Sequence, residues 1–108
     1  MELLSKREEQ ILLAIGSLGA NAYLVAIKKH LSEVTGRSLS IGAIHIPLRR
    51  LEREGIIESN LGEATSVRGG RRKKIYRLTI KSLEALTESK RVHDILWGNF
   101  TPFAFKQG

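Results

Sequence analysis

The hydrophobic and polar positions of this chain mark out helices first and strands later. Ser5-Lys6-Arg7-Glu8 has the S-x-x-E form of a capping box, and Ile11, Leu12, Ala14, Ile15 and Leu18 follow as an apolar band punctuated by Gly16 and Gly19. Asn21 is the expected N-cap of a second helix, with Tyr23, Leu24, Ile27, Leu31 and Val34 on one side and Lys28, Lys29 and Glu33 on the other. Gly36 supplies its stop signal. Ser40 opens a third helix that runs to Glu54, with Gly55 just beyond it and Ile44, Leu48 and Leu51 as its buried stripe. Pro47 costs an interior helix ~3 kcal/mol. Starting the helix at Pro47 instead would leave Ile46 as a poor cap, so the longer, kinked helix is expected.

Past Gly55 the period changes. Residues 56–60 read as a short strand and Lys73 to Thr79 as a second, with Tyr76 and Leu78 on one face and Ile75 and Arg77 on the other. A polar, glycine-containing hairpin loop lies between them. A last helix, about Ile80 to Trp97, carries Leu83, Leu86, Val92, Ile95 and Leu96. Helix, helix, helix, hairpin, helix is the order of a winged helix-turn-helix, an α+β, mainly α fold. The expected organisation is one winged-helix domain over residues 1–97, its C-terminal helix (about 80–97) serving dimerisation, and an aromatic tail over residues 98–108.

Composition narrows the class. A chain of 108 residues fits one domain, and 42% apolar residues exclude a wholly disordered chain. The absence of cysteine excludes a disulfide scaffold and a thiolate metal site. Gln10 to Ile27 is 18 residues without a charge, but Gln10, Ser17 and Asn21 and two glycines interrupt it, so it reads as two core helices meeting at a turn. The N-terminus lacks the pattern of a signal peptide, and a cytoplasmic location is the expectation.

The net charge of +7 is unevenly placed. Residues 1–36 are net neutral, residues 80–108 carry +1, and residues 37–79 carry +6. This concentration points to a polyanionic partner. With the apolar stripe of the third helix facing the core, Ser40, Ala43, His45, Ile46, Arg49, Arg50 and Arg53 fall on the other side or its margins. Arginine's planar fork suits guanine O6/N7 or a phosphate, and the small Gly42 and Ala43 allow close approach. From Arg68 to Lys74, five of seven residues are basic (Arg68, Arg71, Arg72, Lys73 and Lys74), with Gly69 and Gly70 between them. Clustered cations at a hairpin tip repel one another unless an anion relieves them, which favours DNA backbone contact by Arg68, Arg71, Arg72 and Lys73.

No catalytic, metal or cofactor constellation is evident. His30, His45 and His93 lack metal-ligand spacing, and no phosphate-binding loop or nucleophile elbow exists. Four of the six aromatic residues, Trp97, Phe100, Phe103 and Phe105, fall in the last dozen positions. These rings either cover the domain's own core or bury against a second subunit, and the second reading makes Leu12, Val92, Leu96, Trp97 and Phe100 candidate dimer or ligand contacts.

Two stretches carry a family resemblance. Ser40-Ile41-Gly42-Ala43-Ile44-His45 followed by Leu48-Arg49-Arg50-Leu51-Glu52-Arg53-Glu54-Gly55-Ile56-Ile57 resembles the S-x-G-[TA]-I-Y-P-x-L-x-R-L-E-x-x-G-L-I pattern of PadR-type winged-helix regulators. Gly69-Gly70-Arg71-Arg72-Lys73-Lys74-Ile75-Tyr76-Arg77-Leu78-Thr79 is similar to that family's wing. The resemblance covers about residues 3–97. His45 stands where the family usually has tyrosine, and Pro47 falls one place late. The resemblance implies a bacterial, homodimeric transcriptional repressor of the short class, with one C-terminal helix, binding double-stranded DNA at a palindromic operator. Members of the family dimerise through the first and last helices, some bind drugs or phenolic compounds, and some stack a last-helix tryptophan on planar ligands, so a small planar effector stacked on Trp97 is a further implication. The rival readings are a small RNA-binding protein, which should expose stacking aromatics beside its basic residues, and a winged-helix protein-interaction module.

Overall fold

The computed structural model describes residues 3–62 and 73–101. Helix α1 spans Lys6–Leu18, α2 Leu24–Thr35 and α3 Ile41–Arg53; strands β1 (Ile57–Leu61) and β2 (Lys74–Leu78) follow, and α4 runs Ile80–Gly98. The winged helix-turn-helix order holds. Both caps expected from serine are present. Ser5 Oγ accepts from the Glu8 N–H at 3.1 Å while Glu8 accepts from the Ser5 N–H at 2.8 Å, and Ser40 Oγ accepts from the Ala43 N–H at 3.1 Å. α3 ends on Gly55 at φ 74°, where the Ile56 N–H reaches the Leu51 carbonyl at 2.9 Å and the Gly55 N–H the Glu52 carbonyl at 3.0 Å. That double closure needs a left-handed residue, which glycine supplies without a Cβ clash.

One core joins the elements. Ile11, Leu12, Ala14 and Ile15 of α1 meet Ile27 and Leu31 of α2, Ile44, Leu48 and Leu51 of α3, and Ile57 and Tyr76 of the hairpin. The strands pair antiparallel with Ile57 opposite Leu78 and Ser59 opposite Tyr76. Burying each branched side chain removes apolar surface from water, worth about 1.5–3 kcal/mol apiece. α4 packs back with a small inner face: Ser82, Ala85 and Ser89 are buried, and Ser89 Oγ donates to Glu9 Oε2 of α1 at 2.6 Å. Among the described residues, no helix is long and apolar enough to cross a membrane.

The local expectations differ from the structure in four places. α1 continues through Gly16, which faces β2: a Cβ there would lie 3.4 Å from Leu78 Cδ1, an ordinary contact distance. Asn21 does not cap α2: Gly19–Asn21 form a 3-10 turn, and Tyr23 holds the cap position without a side-chain hydrogen bond. The cause is tertiary, because Ala22 and Tyr23 are drawn to the sheet. The Ala22 carbonyl accepts from the Tyr76 N–H at 2.8 Å, and Tyr23 bridges Ile75. Val34 is exposed rather than part of the α2 stripe. Leu83, Ile95 and Leu96 of α4 are likewise exposed, because the small residues of that helix form its packed face.

Candidate nucleic-acid interface

The helical repeat of α3 separates its faces. Ile44, Leu48 and Leu51 point into the core, which directs Gly42, Ile46, Arg49 and Arg53 outward and places Ala43 and His45 half-buried at the two margins. Ile46 is 71% exposed at the middle of this face. Ser40 is exposed, with its hydroxyl engaged in the cap.

The three arginines divide by partner. Arg50 lies against α1, its guanidinium 3.4 Å from both Glu8 and Glu54. Glu8 is almost fully buried and also holds the Ser5 N–H, so Arg50 balances a carboxylate that the fold requires. Arg49 and Arg53 are exposed and form no ion pair with the described residues. Two cations thus stand beside Ile46 without a counter-charge among the described residues.

On the other side of α3, Glu52 binds the hairpin base. Its carboxylate accepts from Ser59 Oγ of β1 and from Lys74 Nζ of β2, the latter at 2.9 Å. The Ser59 hydroxyl first, and then the Lys74 ammonium, hold the Glu52 carboxyl below its ordinary value. The hydrogen bond to Glu52 raises Lys74 in turn, against its partial desolvation and, to a smaller extent, the like charge of Arg49. Lys73 is exposed with its ammonium 4.0 Å from the centre of the Tyr23 ring, a cation–π contact that ties the wing base to the start of α2. Tyr23, His45, Lys73, Lys74 and Tyr76 line a shallow depression of about 440 Å³ between these elements. The remaining expected wing contacts, Arg68, Gly69, Gly70, Arg71 and Arg72, lie outside the described residues.

Neither Tyr23 nor Glu52 carried a signal in the sequence beyond its neighbours. Tyr23 looked like a core position of α2, and Glu52 like one more charge on a helix 22 residues from Lys74. Among the described residues, no cluster of histidine, cysteine or carboxylate side chains could hold a metal ion.

The model of the "Transcriptional regulator PadR-like family" matches residues 11–88, which include α2, α3 and both strands. The chain belongs to the PadR-like family. It is therefore a transcriptional regulator with a winged helix-turn-helix DNA-binding fold, in a family that is not one of enzymes. Solved structures agree. The chain is similar to a PadR-like transcriptional regulator from Bacillus cereus strain ATCC 14579, at 29% identity over 84% of each chain with a TM-score of 0.67. It is also similar to a PadR family regulator from Clostridium difficile R20291, at 28% identity over 83% of this chain and 91% of that one, TM-score 0.62. RosR of H. salinarum shares the fold at 21% identity, over 91% of this chain and 81% of that one, TM-score 0.67. No curated protein sequence matches the chain.

The second group of expected contacts in this PadR-like chain sits on α4 and just beyond its end, with one correction. Leu12 is 0% exposed and belongs to the protomer's own core, so it has no surface to offer a partner; its neighbour Leu13 is the exposed leucine of α1. Val92 is half-buried, Leu96 and Trp97 are 63% and 70% exposed, and Phe100 is exposed too. The Trp97 and Phe100 rings meet at 5.6 Å, tilted by 57°. Leu13, Leu86, His93 and Trp97 line a groove of about 530 Å³ between α1 and α4. His93 faces Glu9 across it, with Nε2 3.6 Å from Oε2.

Proposed function

We propose that this PadR-like chain is a homodimeric repressor that binds a palindromic operator, with α3 in the major groove and the basic hairpin on the flanking backbone. The observation that carries this reading is the outer face of α3, where exposed Ile46 lies beside Arg49 and Arg53, which have no counter-ion among the described residues. Arginine forks fit guanine O6/N7, and an apolar side chain fits the thymine methyl group. Lys73 at the wing base, with Arg68, Arg71 and Arg72 beyond it, neutralises phosphate. The RNA-binding alternative is less favoured because Tyr76 is buried and the Tyr23 ring already faces the Lys73 ammonium.

Dimerisation is assigned to α4. Val92, Leu96 and Phe100 continue the stripe of Ser82, Ala85 and Ser89 past the end of α1, and the exposure of Leu96 and Phe100 in one protomer suits a second copy covering them. Two α3 helices then address half-sites about 34–36 Å apart. A planar aromatic effector stacked on Trp97 in the α1–α4 groove relieves repression by changing how the α4 helices pack. Selection of bound sites from random duplexes, followed by anisotropy titrations on the selected duplex and on a structured RNA, tests the reading. Symmetric half-sites and duplex preference support it; equal binding to both nucleic acids, independent of salt, overturns it.

A further inference from the structure

A second basic cleft lies on the opposite side of α3 from the wing. It measures about 410 Å³ and is lined by Lys6, Arg7 and Gln10 of α1 with Thr35 and Arg37 from the end of α2 and the turn beyond it. Its three cations come from parts of the chain that look unrelated by charge. Lys6 and Arg7 belong to the neutral first 36 residues, and folding brings them beside Arg37.

Among the described residues no carboxylate lines the cleft, and the two acidic side chains that follow Arg7 are committed elsewhere. Glu8 accepts from the Ser5 N–H and pairs with Arg50; Glu9 accepts from Ser89 and faces His93. Lys6 and Arg37 form no ion pair with the described residues, and Arg7 gives one guanidinium N–H to Gln10 Oε1 at 3.0 Å, its others meeting no acceptor among the described residues. The capping box already occupies the start of α1, so the side chains rather than the helix terminus make this an anion site.

Its place relative to α3 identifies the anion. Arg37 lies three residues before Ser40, the N-cap of α3, and α1 docks its first turn on α3 through Glu8 and Arg50. Glu52, which holds the wing, is two positions from Arg50 and so about 200° around the helix from it. The wing and the cleft therefore flank α3. A helix with side chains is about 10–12 Å across and the major groove about 12 Å wide, so a helix seated there has a phosphate strand on each side.

Building on the DNA-binding reading above, we propose that Lys6, Arg7 and Arg37 hold backbone phosphates of the duplex on the side of the major groove away from the wing. This gives each protomer two backbone grips with α3 between them.

The test uses the full chain with Arg37→Ala, Arg37→Lys, a Lys6→Ala/Arg7→Ala pair and, as reference, Arg49→Ala. Anisotropy titrations are run on the selected operator and on an unrelated duplex between about 50 and 200 mM salt. Arg37→Ala should weaken binding to both duplexes by the same factor, roughly five- to tenfold at about 0.1 M salt, and lower the salt slope by about one per protomer. Arg37→Lys should keep the slope. Hydroxyl-radical footprints of the paired variant should lose protection on the wing-distal strand alone. Lys6 and Arg37 are exposed, and unchanged thermal melts establish that the variants are folded. If wild type binds and Arg49→Ala is impaired while Arg37→Ala keeps the full slope and footprint, the cleft assignment is overturned and the α3 reading stands. If wild type itself shows no duplex binding, the DNA reading fails and the cleft falls with it.

Discussion

Helices α3 and α4 both present an exposed face, and they are built in opposite ways. α3 buries its large aliphatic residues, Ile44, Leu48 and Leu51, and exposes arginines. α4 buries Ser82, Ala85 and Ser89 and exposes Leu83, Ile95, Leu96 and Trp97. A helix that spends its apolar surface on its own core has a polar face left for a charged partner. One that packs through small residues, close to its neighbour, leaves its apolar surface for a partner of the same kind. Exposure of α3 thus points to nucleic acid, and exposure of α4 points to protein.

The sharpest way to break this comparison is to truncate one leucine on each helix. Leu48→Ala should destabilise the protomer by about 2–5 kcal/mol in urea unfolding, because it opens a cavity at a fully buried site. Leu96→Ala should change protomer stability by no more than about 0.5 kcal/mol. Its effect should show instead in sedimentation, as a shift toward monomer at low concentration. Equal costs for the two in dilute protomer would mean that α4 is part of the core after all.

A smaller effect separates the arginines within α3. Arg49→Ala or Arg53→Ala should weaken operator binding by about 1–3 kcal/mol and relax discrimination at one base position. Arg50→Ala should cost less in DNA affinity and show up in thermal stability, since it leaves the buried Glu8 without its cation. The reverse ranking would overturn the division of that face.

The smallest effect concerns the tie between helix and wing. The Glu52 carboxyl is held below its ordinary value near 4.5, so its ionised form favours the folded state. That contribution is fully present above about pH 4.5 and is lost as pH falls through the lower folded value. Glu52→Gln should therefore lower stability by under about 1 kcal/mol at neutral pH, and melts between about pH 3 and 6 should show a shallower acid decline than wild type. Identical acid profiles would show that Ser59 and Lys74 do not stabilise the carboxylate.

Much of the fold was legible because its signals are local. Ser5 and Glu8 lie three positions apart, as do Ser40 and the Ala43 N–H that it caps, and Gly55 stops α3 by its own backbone freedom. Ile44, Leu48 and Leu51 mark their helix face by spacing alone. The bridge of Tyr23 to Ile75 was not legible, because a single residue pair has no alternation to read. Leu12 shows the opposite case: its spacing with Ile11 and Ile15 already put it in the apolar band of α1, where the structure seals it, and Leu13 outside it.

The sequence by itself determined the order of elements, the start of α1, the start and stop of α3, the family pattern and the basic middle of the chain. Each of these is written in residues a few positions apart, where propensity, capping and periodicity act. Only the tertiary structure decided which cations are paired. It placed Arg50 on Glu8, Lys74 on Glu52 and Lys73 over Tyr23, and it brought Lys6 and Arg7 beside Arg37. Charge summed along a chain ignores distance in space, whereas the energy between two charges depends on that distance and on the solvent between them.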